Sequence, residues 1–280
     1  MRFEQWFHGT DVMYHAVDRV IAEGKTPWQH YLFFEHPVFG VTIAIDGDMQ
    51  SCQADEGIYH EALVHPALFF HPNPKNVLIM GGGEGATARE ILRHSGVERC
   101  VMVDIDGAFV EACRKYAPTW SEGAFDDPRL VLKIMDINDY FDEAQIPFDV
   151  VIGDLVDVAD WSSPVAGLYS ETFYDRLKKL LAPDAVVATQ AGALDLNEAI
   201  NHRKVRRSLA ASFEHVASYG VVVPSFGGMW SYVVASDVPL DVEEMAKRAE
   251  TSAVMLPAIG AENLAALFAL PRRITRSLEK

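Results

Sequence analysis

The stretch from Val77 to Asp106 constrains this chain more than any other. An apolar run, Val77-Leu78-Ile79-Met80, breaks into the glycine loop Gly81-Gly82-Gly83-Glu84-Gly85. A helix-compatible segment from Ala86 to His94 comes next, then a second apolar run, Cys100 to Val103, ending on Asp104-Ile105-Asp106. This is the pattern of the first βαβ unit of a nucleotide-binding sheet: glycines let the backbone approach a ligand, and an acid at the end of the second strand accepts from ribose hydroxyls. Glu84 is the unusual member. A carboxylate inside the cradle would repel a diphosphate, so the loop points to a cationic ligand, and S-adenosyl sulfonium compounds are the obvious class.

From Lys75 onward strands and helices alternate. Ala108 to Lys115 reads as helix, Leu130 to Met135 as strand and Phe148 to Gly153 as a short apolar strand ending in Asp154. Phe173 to Leu181 is amphipathic, Ala185 to Thr189 is strand, and Ala199 to Ser212 is a basic-faced helix. Val221-Val222-Val223 and Ser231 to Ala235 read as late strands at an antiparallel sheet end, and Asp241 to Thr251 as a charged, solvated helix. Before residue 71 the pattern is β-like: Tyr31 to Phe34 and Val41 to Ile45 are strands, with Asp46-Gly47 as a hairpin signal. Ile58 to Phe70 has helical spacing, with Ile58, Leu63, Ala67 and Phe70 facing inward and Pro66 expected to bend or interrupt it. The expected fold is α/β: a Rossmann-like, methyltransferase-type doubly wound sheet at 71–280 behind a small antiparallel β lobe at 1–70.

A length of 280 residues, 49% of them hydrophobic, suffices for one large core with a small extension. The net charge of −16 argues against nucleic acid and anionic membranes as partners, since both need excess Lys and Arg on the contact face. Cys52, Cys100 and Cys113 lack metal-ligand spacing and read as reduced core residues of a cytoplasmic protein. The first residues, Met1 to Trp6, suggest neither a signal peptide nor a membrane span.

In a doubly wound sheet, ligands sit outside the carboxyl ends of the parallel strands. All four such ends carry acids here: Glu84, Asp104, Asp136, and Asp154 with Asp157. One such acid is commonly a helix cap; four in register form a site. Asp104 lies about twenty residues past the loop, as a ribose acceptor should. Asp136, followed by Ile137, can accept from an adenine amine while apolar neighbours cover the ring. Glu84, Asp154 and Asp157 are left for the reacting end. Gly81, Gly83 and Ala86 also satisfy the G-x-G-x-x-A form of NAD enzymes, but Glu84 would then lie beside the pyrophosphate.

Several runs, in order, carry a resemblance: Asp55 to Glu61, Val64 to Leu68, Gly81 to Glu90, Asp126 to Arg129, Gly153 to Asp157, Leu168 to Tyr174, Val223 to Phe226 and Leu267 to Pro271. The chain resembles the polyamine aminopropyltransferases, the spermidine, spermine and thermospermine synthases, and its loop motifs are most similar to the thermospermine synthases. The resemblance implies decarboxylated S-adenosylmethionine as donor and co-substrate, no further cofactor and no metal. It places Gln29, Gly81, Gly83, Glu84, Gly85, Asp104, Asp136 and Ile137 on the donor. Asp154 is then the acid that deprotonates the attacking amine, with Tyr59 beside it and Asp157 as second acid of that loop. Tyr59, His60, Glu84, Asp154, Asp157, Gln190 and Phe226 fall on the acceptor side. A homodimer or homotetramer is implied, with polyamines and nucleoside sulfonium compounds as small-molecule partners.

The chain departs from the family where Val158-Ala159-Asp160-Trp161 replaces the usual proline after the second loop acid, at Phe226 where many relatives have tyrosine, and at Gly57. A methyltransferase of the same fold, or a noncatalytic polyamine-binding homologue, would share the donor-side features. The implied chemistry is nonetheless economical. An alkylammonium, with a pKa of about 10.4, must lose its proton before its lone pair can attack. The thioether departs neutral, so acceleration comes mainly from aligning nitrogen, methylene carbon and sulfur.

Overall fold

The computed structural model describes residues 1–7, 11–158, 160–194 and 199–278. Two antiparallel sheets form the N-terminal part. A hairpin pairs β1 (Arg2–Phe7) with β2 (Asp11–Ala16); a meander comes after it, β3 (Arg19–Lys25), β4 (His30–His36), β5 (Gly40–Ile45) and β6 (Asp48–Cys52). Asp46 and Gly47 both have positive φ, 51° and 95°, the mirror-image turn that suits the twist of a two-residue hairpin.

Helix α1 (Glu56–Phe70) runs unbroken through Pro66. The interruption expected there does not occur, because α1 is enclosed on all sides: every residue from Tyr59 to Phe70 is buried. Tertiary packing of that much surface outweighs the penalty of about 3 kcal/mol for an interior proline.

The large sheet contains β7 (Asn76–Gly81), β8 (Arg99–Asp104), β9 (Leu130–Ile134), β10 (Phe148–Asp154), β11 (Leu181–Ala193), β12 (His215–Val223) and β13 (Gly228–Ser236). Their order is β12-β13-β11-β10-β7-β8-β9, with β9, β8, β7, β10 and β11 parallel and β13 antiparallel to both its neighbours. Val77, Leu78, Ile79 and Met80 are at most 1% exposed, so the central strand reads as a continuous apolar run rather than an alternating one. One face is covered by α1, α2 (Ala86–Leu92) and the C-terminal segment, whose Phe268 stacks on Tyr219 at 4.7 Å. The other face packs against α5 (Ile137–Glu143), α6 (Glu171–Lys178) and α7 (Ala199–Ser212), which come after α3 (Gly107–Tyr116) and α4 (Pro118–Ser121) in the chain. Among the described residues no helix is long and apolar enough to cross a membrane.

The chain leaves β7 outward through β8 to β9, then returns to β10 on the other side of β7. That reversal makes the β7–β10 boundary the topological switch point, where a crevice opens at the strands' carboxyl ends.

Candidate active site

At the switch point lies a cavity of about 610 Å³, within the range of small-molecule sites. Its floor is the glycine loop. The Gly82 amide donates to the Asp154 carbonyl at 3.0 Å, locking the end of β7 to the end of β10. Gly81 has φ of +82°, and a Cβ there would run into that same carbonyl, so only glycine permits the approach.

The four strand-end acids meet here as expected: Glu84, Asp104, Asp136 and Asp154 all line the cavity, with Gln29, Gly81, Gly83 and Ile137. Asp104 Oδ1 accepts from the Asp106 amide at 2.8 Å. Burial, reinforced by Glu84, Asp106 and Asp154, pushes its carboxyl up to about 6. Asp136 caps α5, its Oδ1 accepting from the Asn138 amide at 2.8 Å and from the Asn138 side chain at 3.1 Å. It is both a helix cap and a cavity wall, so the two readings of a strand-end acid coexist. Gln29 is tied by its Nε2 to Asp106 Oδ2 at 2.9 Å, beside the Thr26 hydroxyl at 2.6 Å on the same oxygen. This junction fixes the β3–β4 turn against the start of α3.

Asp154 is held on both oxygens. The Tyr59 hydroxyl donates to Oδ1 at 2.9 Å and the Thr87 hydroxyl to Oδ2 at 2.6 Å. Burial first, then Glu84, pushes this carboxyl up to about 6, against the opposing pull of His60, Thr87 and Tyr59. Tyr59 itself is raised well above the usual phenol range, chiefly by burial and by Asp154, and remains a donor.

Five of the expected site residues stand outside the lining of this cavity. Gly85 supports the loop without lining the cavity; at φ +85° it precedes α2, where a Cβ would lie 2.7 Å from Phe125. His60 is 1% exposed and stands behind Glu84, out of the cavity. Asp157 and Gln190 line a separate cavity of about 10 Å³, room for no more than one water. The cause is the segment after β10: Gln190 Nε2 donates to the Leu155 carbonyl at 2.8 Å and to the Tyr169 hydroxyl at 3.0 Å, while its Oε1 accepts from the Gly192 amide at 2.9 Å. Gln190 is thus a brace for the loop after Asp154. Asp157 remains close enough to add to the burial that raises the Tyr59 and Tyr169 hydroxyls. Phe226 sits behind Tyr59, ring centroids 6.0 Å apart, and does not line the cavity. Ala159, in the divergent segment after Asp157, lies outside the described residues.

Other residues at the site have little sequence signal. Trp28, Ile43, Ile45, Gln50 and Ser51 reach the cavity from the meander. Thr87 lies inside the recognisable loop motif, and a hydroxyl just behind a glycine loop is the kind of signal that could have marked it. Glu56 and Arg89 pair through two 2.9 Å contacts across 33 residues of sequence, which nothing local announces.

His60, Glu84 and Asp154 each offer one atom within 4.8 Å of the others. That spacing could suit a cation, but both His60 ring nitrogens face acceptors: Nε2 meets Glu84 Oε1 at 2.8 Å, and Nδ1 meets the Glu56 carbonyl at 2.7 Å and Oε2 at 2.9 Å. An imidazole donating from both nitrogens has no lone pair for a metal.

The spermine/spermidine synthase domain family matches residues 56–244. The chain is 44% identical over 237 residues to a polyamine aminopropyltransferase of Aeropyrum pernix, covering 84% of this chain and 74% of that protein. It is 39% identical over 273 residues to the Arabidopsis thaliana thermospermine synthase ACAULIS5, covering 95% and 79%. A spermidine synthase solved in complex with the transition state analogue AdoDATO superposes with a TM-score of 0.92 at 31% identity, covering 100% of this chain and 95% of that one. The spermidine synthase of Thermotoga maritima gives 0.90 at 31% identity, covering 100% and 94%. With a glycine cradle carrying Glu84, acids at four neighbouring strand ends and relatives matched along nearly its whole length, the chain belongs to the polyamine aminopropyltransferase family.

Proposed function

We propose that this enzyme transfers the aminopropyl group of decarboxylated S-adenosylmethionine to an amine of a polyamine and releases methylthioadenosine. The observation that carries the reading is the opposition of two carboxylates, Glu84 and Asp154, across a glycine cradle at the switch point. In this reading Asp104 takes the ribose, Asp136 the adenine amine, and Glu84 the ammonium of the aminopropyl arm. Asp154 accepts the proton of the attacking amine; a carboxyl poised near 6 is ionised at neutral pH yet basic enough for that transfer. Tyr59 and Thr87 hold its orientation.

The acceptor is read as spermidine in preference to putrescine. Leu155, Val156, Pro164, Val165 and Leu168 give the cavity an apolar wall beside Asp154, and the thermospermine synthase likeness points the same way. The assembly is read as a homodimer or homotetramer, for which the hairpin offers Trp6 and Tyr14, more than half exposed. Free, buried cysteines suit a reducing cytoplasm, and the acidic balance makes nucleic acid an unfavoured partner.

Calorimetric titration with decarboxylated and carboxylated donors tests the assignment of Glu84. The decarboxylated compound should bind more tightly, and Glu84→Gln should narrow the difference. Equal or tighter binding of S-adenosylmethionine by the unaltered protein would count against it.

A further inference from the structure

The reacting-end acids are backed by a buried chain of alternating charge. Glu84 Oε1 meets His60 Nε2 at 2.8 Å; His60 Nδ1 meets Glu56 Oε2 at 2.9 Å; Glu56 in turn is gripped by both terminal nitrogens of Arg89 at 2.9 Å. His60 is 1% exposed and Arg89 is 7% exposed, so solvent does little to screen these contacts. A neutral imidazole carries one N–H and would aim a lone pair at one of the two carboxylates. Two ionised carboxylates on opposite sides of the ring therefore favour the imidazolium.

We propose that His60 is a positioning residue, a resident imidazolium clamped between Glu56 and Glu84 that fixes the orientation of Glu84 and offsets its charge so that Asp154 is available as a base at neutral pH. The proposal rests on the assignment of Glu84 and Asp154 to the reacting end. Because His60 occupies Oε1, it is the other oxygen of Glu84, without a protein partner among the described residues, that is left for a ligand ammonium. Without the cation, Asp154 would face Glu84 uncompensated. The directions agree: burial alone would lower His60, yet its hydrogen bonds to Glu56 and Glu84 raise it to about 10, while His60 pulls Asp154 downward against Glu84. Glu56, despite its burial, is brought down to about 2 by His60 and Arg89. The titratable or charged groups around this centre are Glu56 and Tyr59 of α1, Glu84 of the loop, Arg89 of α2, Asp104 at the end of β8, Asp154 and Asp157 at and after β10, and Tyr232 of β13.

Two measurements test this. In nitrogen-15 histidine spectra of the whole protein, the signal lost in His60→Gln should be an imidazolium from pH 6 to 8.5. A neutral tautomer, or a midpoint in the ordinary histidine range, would overturn the proposal whatever the enzyme's substrate. In steady-state kinetics, His60→Gln keeps a side chain able to donate to Glu84 but removes the charge. The acidic limb of its kcat/KM profile should move up by about one pH unit or more, the scale of losing a neighbouring opposite charge. A reduced rate with an unmoved limb would mean a structural role only and would equally overturn it.

Discussion

In the proposed reaction Asp154 bears the heaviest chemical demand of any residue, and its environment says how it should respond to change. Asp154→Asn keeps an oxygen for the Tyr59 hydroxyl but cannot accept a proton. Turnover should fall by at least about a hundredfold while calorimetry shows donor affinity largely kept. Asp104→Ala should act in the opposite sense, chiefly raising the donor dissociation constant, because ribose hydroxyls carry no charge change during transfer. In the unaltered enzyme kcat/KM should rise with pH through about 6 as Asp154 loses its proton. The same shift has a stability consequence. Between the ordinary carboxyl value of 3.8 and about 6 the folded protein binds more protons at Asp154 than the unfolded chain does, so stability falls as pH rises through that window. Asp154→Asn should therefore melt several degrees higher than the parent at pH 7.5, with the difference closing towards pH 4, in calorimetric scans without ligand. An unchanged or lower melting point at pH 7.5 would contradict this. The individual acids were readable in sequence because each ends an apolar run; the Glu56–Arg89 clamp was not, because its partners meet only once α1 crosses α2.

Among the elements, the β7 turn is the least tolerant of substitution. Gly81→Ala would place a methyl group against the Asp154 carbonyl in a backbone conformation with φ of +82°, forcing β7 and β10 apart. Strain of this kind costs on the order of 1–3 kcal/mol. Melting temperature and donor affinity should fall together, and a variant that retained both would show that the loop can relax around a side chain. Element boundaries were less legible than element types. β11 spans Leu181–Ala193, longer than the Ala185 to Thr189 core evident in sequence, because Pro183, Asp184 and Gly192 look like breakers while the strand lies between β10 and β13. Pro66 misleads for the same reason: local propensity yields to burial on every side of α1.

For the molecule as a whole, function is set by topology. Acids separated widely in sequence converge because parallel strands all end on one side and the strand order reverses between β7 and β10. That rule is visible in sequence before any contact is known, and it placed Glu84, Asp104, Asp136 and Asp154 together. It does not fix the path of the loop beyond a strand end, so Asp157, carried away by the loop after β10, and Gln190, a residue of β11 that braces that loop, fell outside its reach. The acceptor end is correspondingly the less legible half. Each methylene of a longer polyamine that is buried against the wall of Leu155, Val156, Pro164, Val165 and Leu168 gains up to about 0.8 kcal/mol, so kcat/KM should be higher for spermidine than for putrescine. A clear preference for putrescine in competition assays would overturn that assignment and leave the donor side intact.

Aminopropyl transfer itself is tested most directly by mass spectrometry of the products formed by the purified protein from decarboxylated S-adenosylmethionine with putrescine, spermidine or agmatine. Methylthioadenosine should appear in equal amount with an acceptor lengthened by one aminopropyl group, and both products should be lost in Asp154→Asn. Failure to form them, or release of S-adenosylhomocysteine and a methylated product when S-adenosylmethionine is supplied instead, would contradict the assignment.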